Sequence, residues 1–383
     1  MKHNILKNKI FFSDNLEINS LEFFQHWVEL SQSALESNAA QFQQWLGPVT
    51  KISGILKSNA YGHGLLPLAA MYEQCDNIAS LSVVNLSEAI KLRLHGIKKP
   101  ILVISYLDAF YDFIVQYSIE VVIYDLTIAQ QLNAIGKKYN QQIIVHIKFD
   151  TGMSRLGLTA SQLNAFIEEI QLLPYITIKG IFSHLAESYV STSTHQQESV
   201  FALATTKGLV CHISNSHGCL TIQNKNYTYA RIGIGLYGYL PRHASEFQNK
   251  LQPVLSLKTR ILQMKHVSAG SSIGYDSTYK TDKNIHIAII AIGYAEGLDA
   301  RFSNLGSVII NAKIAPIIGR VCMNLTIVDI SLIENCTVGQ VVTVLGKEGN
   351  ASLSVYDWAA LTESSPYSLL TKLSSSMPRI IVD

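Results

Sequence analysis

From about residue 49 to residue 238 the chain repeats one rhythm: a short β-branched run, a polar or glycine turn, then a longer amphipathic segment. The runs are "KISGILK", "ASLSVV", "PILVIS", "EVVIYD", "IIVHIKFD", "IKGIFSH", "LVCHIS" and "YARIGIGLYG". Strands that alternate with helical segments predict βα units around a parallel sheet, and eight of them close a (β/α)8 TIM-like barrel. After "LPRHASEFQNKLQP", a polar stretch with two prolines, the texture changes. "VLSLKTRILQMKHV", "NIHIAIIAIGY", "SVIINAKIAPIIG", "NLTIVDI" and "QVVTVLG" follow with few helical segments between them. The expected fold class is therefore α/β, with a barrel over 21–245 followed by a mostly-β C-terminal domain over 246–383. Residues 1–20 read as an N-terminal tail to which the pattern assigns no role.

Composition narrows the function. With 383 residues, 48% of them hydrophobic and 15% charged, the chain can bury a sizeable core in two domains. Its 30 basic and 28 acidic residues are interspersed and form no long basic block, which excludes nucleic acid as an expected partner. Five cysteines at unrelated spacings fit reduced thiols rather than a disulfide framework, and so a cytoplasmic location. The basic start, "MKHNILKNKIFFSDNLEINS", has too short an apolar run for a signal peptide. No segment approaches 18 uninterrupted apolar residues, so no membrane span is expected.

Barrel chemistry collects at the C-terminal strand ends, and here those ends are polar. Lys57 ends the first strand; Lys148 and Asp150 end the fifth, ahead of Arg155; His184 ends the sixth; Asn215 and Ser216 end the seventh; Arg231 and Gly233 lie on the eighth. Singly, each fits a solvated flank. Together, the cations predict a donor-rich mouth for an anionic cofactor or substrate. "RIGIGLYG" matches G-x-G-x-x-G, but it closes the βα series instead of opening it, and no acidic residue follows about 20 positions later. Beside Ser216 it fits better a single-phosphate site after strands seven and eight. "CHISNSHGC" has the composition of a metal cluster, yet Cys211 and His212 are adjacent on a strand and point to opposite faces, so no metal is expected there.

"LKSNAYGHG", "KFDTGMSRLG", "FSHLAE", "SNS", "RIGIGLYG", "IGYDSTY", "GYAEG" and "GRVCMN" resemble, in that order, the motifs of the alanine racemases that use pyridoxal 5′-phosphate (PLP). The resemblance covers about residues 25 to 383. It implies that Lys57 forms the Schiff base with PLP, and that Tyr61, Ser216, Gly233, Ile234 and Tyr367 hold the phosphate. Asn215 and His184 complete the cofactor site, and Arg231 faces the pyridine nitrogen. A guanidinium donates and cannot accept, so that nitrogen would stay unprotonated, weakening the electron sink and favouring simple proton exchange. Racemisation needs an acid or base on each face of the substrate. The resemblance gives these roles to Lys57 and to Tyr275, with Tyr275 and Met323 supplied by the partner subunit of a head-to-tail homodimer. Arg155 is implied to orient the substrate carboxylate. Lys148 is implied to be carbamylated; an unmodified lysine held by Asp150 is the alternative.

The expected function is interconversion of L-alanine and D-alanine, the latter for peptidoglycan. A preference for serine or another amino acid, and a non-catalytic PLP-binding protein, are alternatives. A decarboxylase on the same barrel would want an acidic residue where Arg231 stands. Two departures from the family's usual pattern bear on substrate preference: Asn324 stands where aspartate is common, and Ser368 where glutamate is common. An asparagine amide could still donate to a substrate carboxylate.

Overall fold

The eight apolar runs form β1 (Lys51–Ile55), β2 (Ile78–Val83), β3 (Ile101–Val103), β4 (Glu120–Ile123), β5 (Ile143–Lys148), β6 (Ile176–Phe182), β7 (Val210–His212) and β8 (Tyr229–Ile232) in a computed structural model. The structure describes residues 7, 9–11, 21–108, 110–205, 208–222, 224, 226–240 and 244–383. All eight strands are parallel and pair in chain order, with β8 returning to β1. Between β7 and β8 the Thr228 amide donates to the Cys211 carbonyl at 2.9 Å and the Arg231 amide to the Ser214 carbonyl at 3.0 Å, which completes the ring.

Helices cover the sheet because their apolar positions recur at helical spacing. Leu126–Tyr139 buries Ala129, Leu132 and Gly136, and Leu86–Leu94 buries Leu86, Ala89 and Leu92. Asp125 and Asn85 cap these two helices by accepting from the Ile128 and Glu88 amides. Branched apolar side chains usually fill such a barrel. Here Ser53, Ser82, His146, His212 and Arg231 are buried as well.

The chain divides into two compact units. The barrel unit comprises Ser33–Ala60 and Leu68–Gln252, and the β unit takes in Tyr61–Pro67, Pro253–Asp383 and the chain up to Gln32. In the β unit the 13-residue strand Leu255–Val267 changes partners along its length. Its first part pairs with His26–Ser31 and Val341–Glu348, and its second part with Ile285–Ile290, with register shifts between Leu257 and Lys258 and between Ile261 and Gln263. Ile273, Ile285, Ile287 and Ile318 pack into one of its cores.

The domain boundary at residue 21 differs from the expectation. His26–Ser31 lies between Leu255–Val267 and Arg379–Val382 in the β sheet, so the residues just after 20 belong to the β unit and not to the barrel. Within the expected tail, Ile10–Phe11 pairs antiparallel with Arg379 and Ile380. Both pairings join positions at opposite ends of the chain, which local periodicity does not register.

Candidate active site

Lys57 stands two residues beyond the end of β1, and the packing of β1 fixes its place. A Cβ on Gly54 would come within 2.4 Å of the Tyr72 ring, so only glycine lets that ring lie against the strand. Tyr72 stacks on Tyr237, whose hydroxyl donates to the Ile55 carbonyl at 2.5 Å. After Lys57 the backbone turns left-handed: φ is 56°, 54°, 50° and 53° at Ser58, Asn59, Ala60 and Tyr61. The Glu88 carboxylate holds this turn, accepting from the Ser58 amide at 2.8 Å and from the Val84 amide at 2.9 Å. Burial, Arg155 and Arg231 lower the pKa of Lys57, against a smaller opposing effect of Glu88.

Arg231 is buried inside the barrel. Its Nη1 donates to His212 Nδ1 at 2.7 Å and to the His212 carbonyl at 2.9 Å. Its Nη2 donates to the Ser183 carbonyl at 2.5 Å, with the Ile213 carbonyl and His184 Nδ1 each at 3.3 Å. Four of the five guanidinium N–H groups thus have protein acceptors among the described residues, and Nε–H is the fifth. Burial pulls the Arg231 pKa down to about 9, still charged at neutral pH. His184, accepting at Nδ1, carries its proton on Nε2; burial and then Arg231 hold it neutral by lowering its pKa well below the usual value.

Lys148 ends β5 with its Nζ 4.4 Å from the centre of the Phe182 ring. Burial, then Arg231 and Arg155, press its pKa well down, which favours the neutral amine. The Asp150 carboxylate accepts from the amides of Gly152, Met153 and Arg155 at 2.9, 2.8 and 3.2 Å. Asp150 therefore shapes the loop that carries Arg155, and among the described residues it makes no ion pair with Lys148. Arg155 itself is exposed.

Ser216 Oγ accepts from the amides of Gly233 and Gly235 at 3.1 and 3.2 Å. The Gly233 amide, expected to face a phosphate, is committed to Ser216, while the next amide in the turn, that of Ile234, has no acceptor among the described residues. Asn215 Oδ1 accepts from the Gly218 amide at 2.8 Å and so orders the segment that follows Ser216. The Cys211–Cys219 stretch disperses: His212 goes to Arg231, His217 to the Ser188 carbonyl, Cys219 to the Ser216 carbonyl and Cys211 to the Leu209 carbonyl.

In the β unit, the Tyr61 and Tyr367 rings lie 6.1 Å apart, and burial raises the pKa of both phenols. Tyr275 is 68% exposed and Met323 56%. Tyr275 begins a short turn in which Asp276, at φ 58°, pairs with Arg320 at 2.7 Å. Asn324 donates to Glu296 Oε1 at 2.7 Å, so one of its amide hydrogens already has an acceptor. An aspartate at that position would face Glu296 as a like charge.

Reading strand ends singled out Lys57, Lys148, His184 and Arg231, all of which border one cationic region of the barrel. It missed Glu88, which has the sequence context of an ordinary first-turn helix residue, and it missed the link from His212 to Arg231.

The comparisons agree with this geometry. Residues 30–241 match the alanine racemase N-terminal domain and residues 254–381 the alanine racemase C-terminal domain. The alanine racemase of Syntrophobacter fumaroxidans is 35% identical over 352 residues, 90% of this chain and 94% of that one. That of Leptospira interrogans is 33% identical over 381 residues, covering 94% and 96%. Among solved structures, the Clostridium difficile 630 alanine racemase superposes with a TM-score of 0.86 at 28% identity, over 94% of this chain and 96% of that one. The Bartonella henselae enzyme, which has covalently bound pyridoxal phosphate, gives 0.79 at 25% identity, over 94% and 100%. Two family domains in order, over nearly the whole chain and on the barrel that carries Lys57 and Arg231, show that this chain belongs to the alanine racemase family of isomerases.

Proposed function

We propose that the chain is a PLP-dependent racemase that interconverts L-alanine and D-alanine in the cytoplasm, supplying D-alanine for peptidoglycan. The observation that carries the reading is the setting of Lys57: an amine with a lowered pKa, near a buried guanidinium whose Nε–H has no acceptor among the described residues. The donor set fits PLP, with a nucleophilic amine for its aldehyde, Arg231 Nε for its ring nitrogen, and the Ser216 hydroxyl with the Ile234 amide for its phosphate. Asn215, through the segment it orders, and Gly233 support that cradle; Tyr61 and Tyr367 keep the phosphate role the resemblance implies. When bound, PLP would supply an electron sink for the substrate Cα–H bond.

The remaining chemistry belongs to the chain. Arg155 pairs with the substrate carboxylate, and Met323 lines the substrate site. Lys57 Nζ moves a proton at Cα on one face, and Tyr275 Oη moves one on the other. With only a donor at the ring nitrogen, Arg231 favours proton exchange over transamination. A neutral Lys148 amine is the form that can add carbon dioxide, so we assign the carbamate to it; the carboxylate so formed would hold Arg155. Tyr275 and Met323 come from the second subunit of a head-to-tail homodimer.

Incubating the purified, PLP-loaded protein with single enantiomers of alanine, serine and lysine, and following optical rotation, tests the reading. Alanine should lose its rotation fastest, and serine is the nearest competitor, because a pocket separates groups this small by only about 1–3 kcal/mol. Failure of all three to racemise would refute the reading.

A further inference from the structure

Behind Arg231 a line of hydrogen bonds runs through the barrel to its opposite end. Arg231 Nη1 reaches His212 Nδ1 at 2.7 Å; His212 Nε2 lies 3.1 Å from His146 Nδ1; His146 Nε2 lies 3.0 Å from Glu120 Oε2. Glu120 Oε1 then accepts from Lys179 Nζ at 2.5 Å. Glu120 is the first residue of β4, at the strand end remote from Lys57. A cavity of about 20 Å³, room for one water, opens beside Ser80, Glu120, Lys179 and Tyr229.

The two ends of this line determine everything between them. A guanidinium only donates and a carboxylate only accepts, so each neutral imidazole must accept at Nδ1 and donate from Nε2. Burial lowers the pKa of both histidines, which keeps them neutral. With His146 in the other tautomer, two N–H groups would meet between the rings. His212 would then have to turn its own N–H toward Arg231. The ring of His212 stacks on Phe182 at 4.8 Å and 3°, so it is not free to swing away.

We propose that Glu120 is a positioning residue for Arg231, fixing the tautomers of His146 and His212 so that a lone pair, and not an N–H, meets guanidinium Nη1. With Nη1 and Nη2 held, Nε keeps one direction. The effect on catalysis rests on the reading of Arg231 as the partner of the PLP ring nitrogen; the tautomer assignment does not.

The test uses full-length, PLP-loaded protein with ¹⁵N-labelled histidine. In the parent, the imidazole resonances of His146 and His212 should both report Nε2–H. Glu120→Ala should convert them to a mixture, shift the visible absorbance of bound PLP and lower kcat/KM by about 10- to 100-fold, the size of effect known for hydrogen-bond partners that orient metal-ligating histidines. Glu120→Leu, closer in volume, replaces it if the alanine variant does not fold. Glu120→Gln, whose amide oxygen still accepts from His146, should restore the parent tautomers and most of the activity. Lys179→Met, which removes only the ion pair, should do no harm. Unchanged tautomers in Glu120→Ala would overturn the proposal. So would equal losses in Glu120→Gln and Lys179→Met, because the ion pair would then be what matters. Altered tautomers with unchanged absorbance and activity would uphold the role of Glu120 and instead refute the placement of Arg231 at the ring nitrogen.

Discussion

Lys57 would be uncomfortable as an ammonium ion. Burial disfavours the charge, Arg155 and Arg231 repel it, and only Glu88 attracts it. The lowered pKa favours the neutral amine, the form that attacks an aldehyde and takes a proton. Lys57→Ala should therefore lose the visible absorbance of bound PLP together with racemisation, the latter by at least about 10²- to 10⁴-fold. Absorbance spectra and borohydride trapping check this; a variant still labelled by borohydride would show that another amine holds the cofactor. At this scale the sequence was informative where polar residues at or near strand ends come together, as Lys57, Arg231 and His184 do in one cationic region. It was silent where a residue works through another residue. His212 stood out only for its neighbour Cys211, and nothing local to Glu120 or His146 says that they meet across strands.

Among the elements, the turn after β1 is the one that ordinary propensities do not produce. Four successive L-residues in the left-handed region, Ser58 through Tyr61, each cost about 1–2 kcal/mol, less at asparagine. The offsets are local: the Ala60 amide donates to the Leu56 carbonyl at 2.8 Å, and Glu88 accepts from the Ser58 amide. Glu88→Ala removes the acceptor of two amides and should destabilise the protein by about 1–3 kcal/mol while weakening PLP retention. Denaturant unfolding and equilibrium dialysis measure the two effects, and no change in either would mean that the turn is held by its other contacts. The apolar run of β1 and its end near Lys57 were legible, since hydrophobicity and register specify them. The handedness of the turn was not: of its residues, only Asn59 readily adopts positive φ.

For the whole molecule, the βα rhythm revealed the barrel because each unit is local. The β unit was recognised by texture but misjudged in extent, because His26–Ser31 finds Arg379–Val382 only after the entire barrel has been traversed. Tyr275 and Met323, both large and exposed in this unit, fit residues that a second subunit would cover. If Tyr275 acts in the partner's site, inactive Lys57→Ala and Tyr275→Phe chains should complement each other when co-expressed. About half of randomly mixed dimers are mixed, each with one intact site, so activity should recover to about a quarter of the parent. Verified heterodimers with no activity would place both residues in one chain's site.

The turn at Lys57 also bears on chirality. A residue of the opposite hand has the mirror-image map of allowed conformations, so a D-alanine at position 60, where φ is 50° and ψ 50°, would lie in its own ordinary helical basin. The strain is a property of L-residues and not of the path the backbone follows. D-alanine, a product on the proposed reading, would thus adopt the backbone at position 60 without the strain that it imposes on an L-residue.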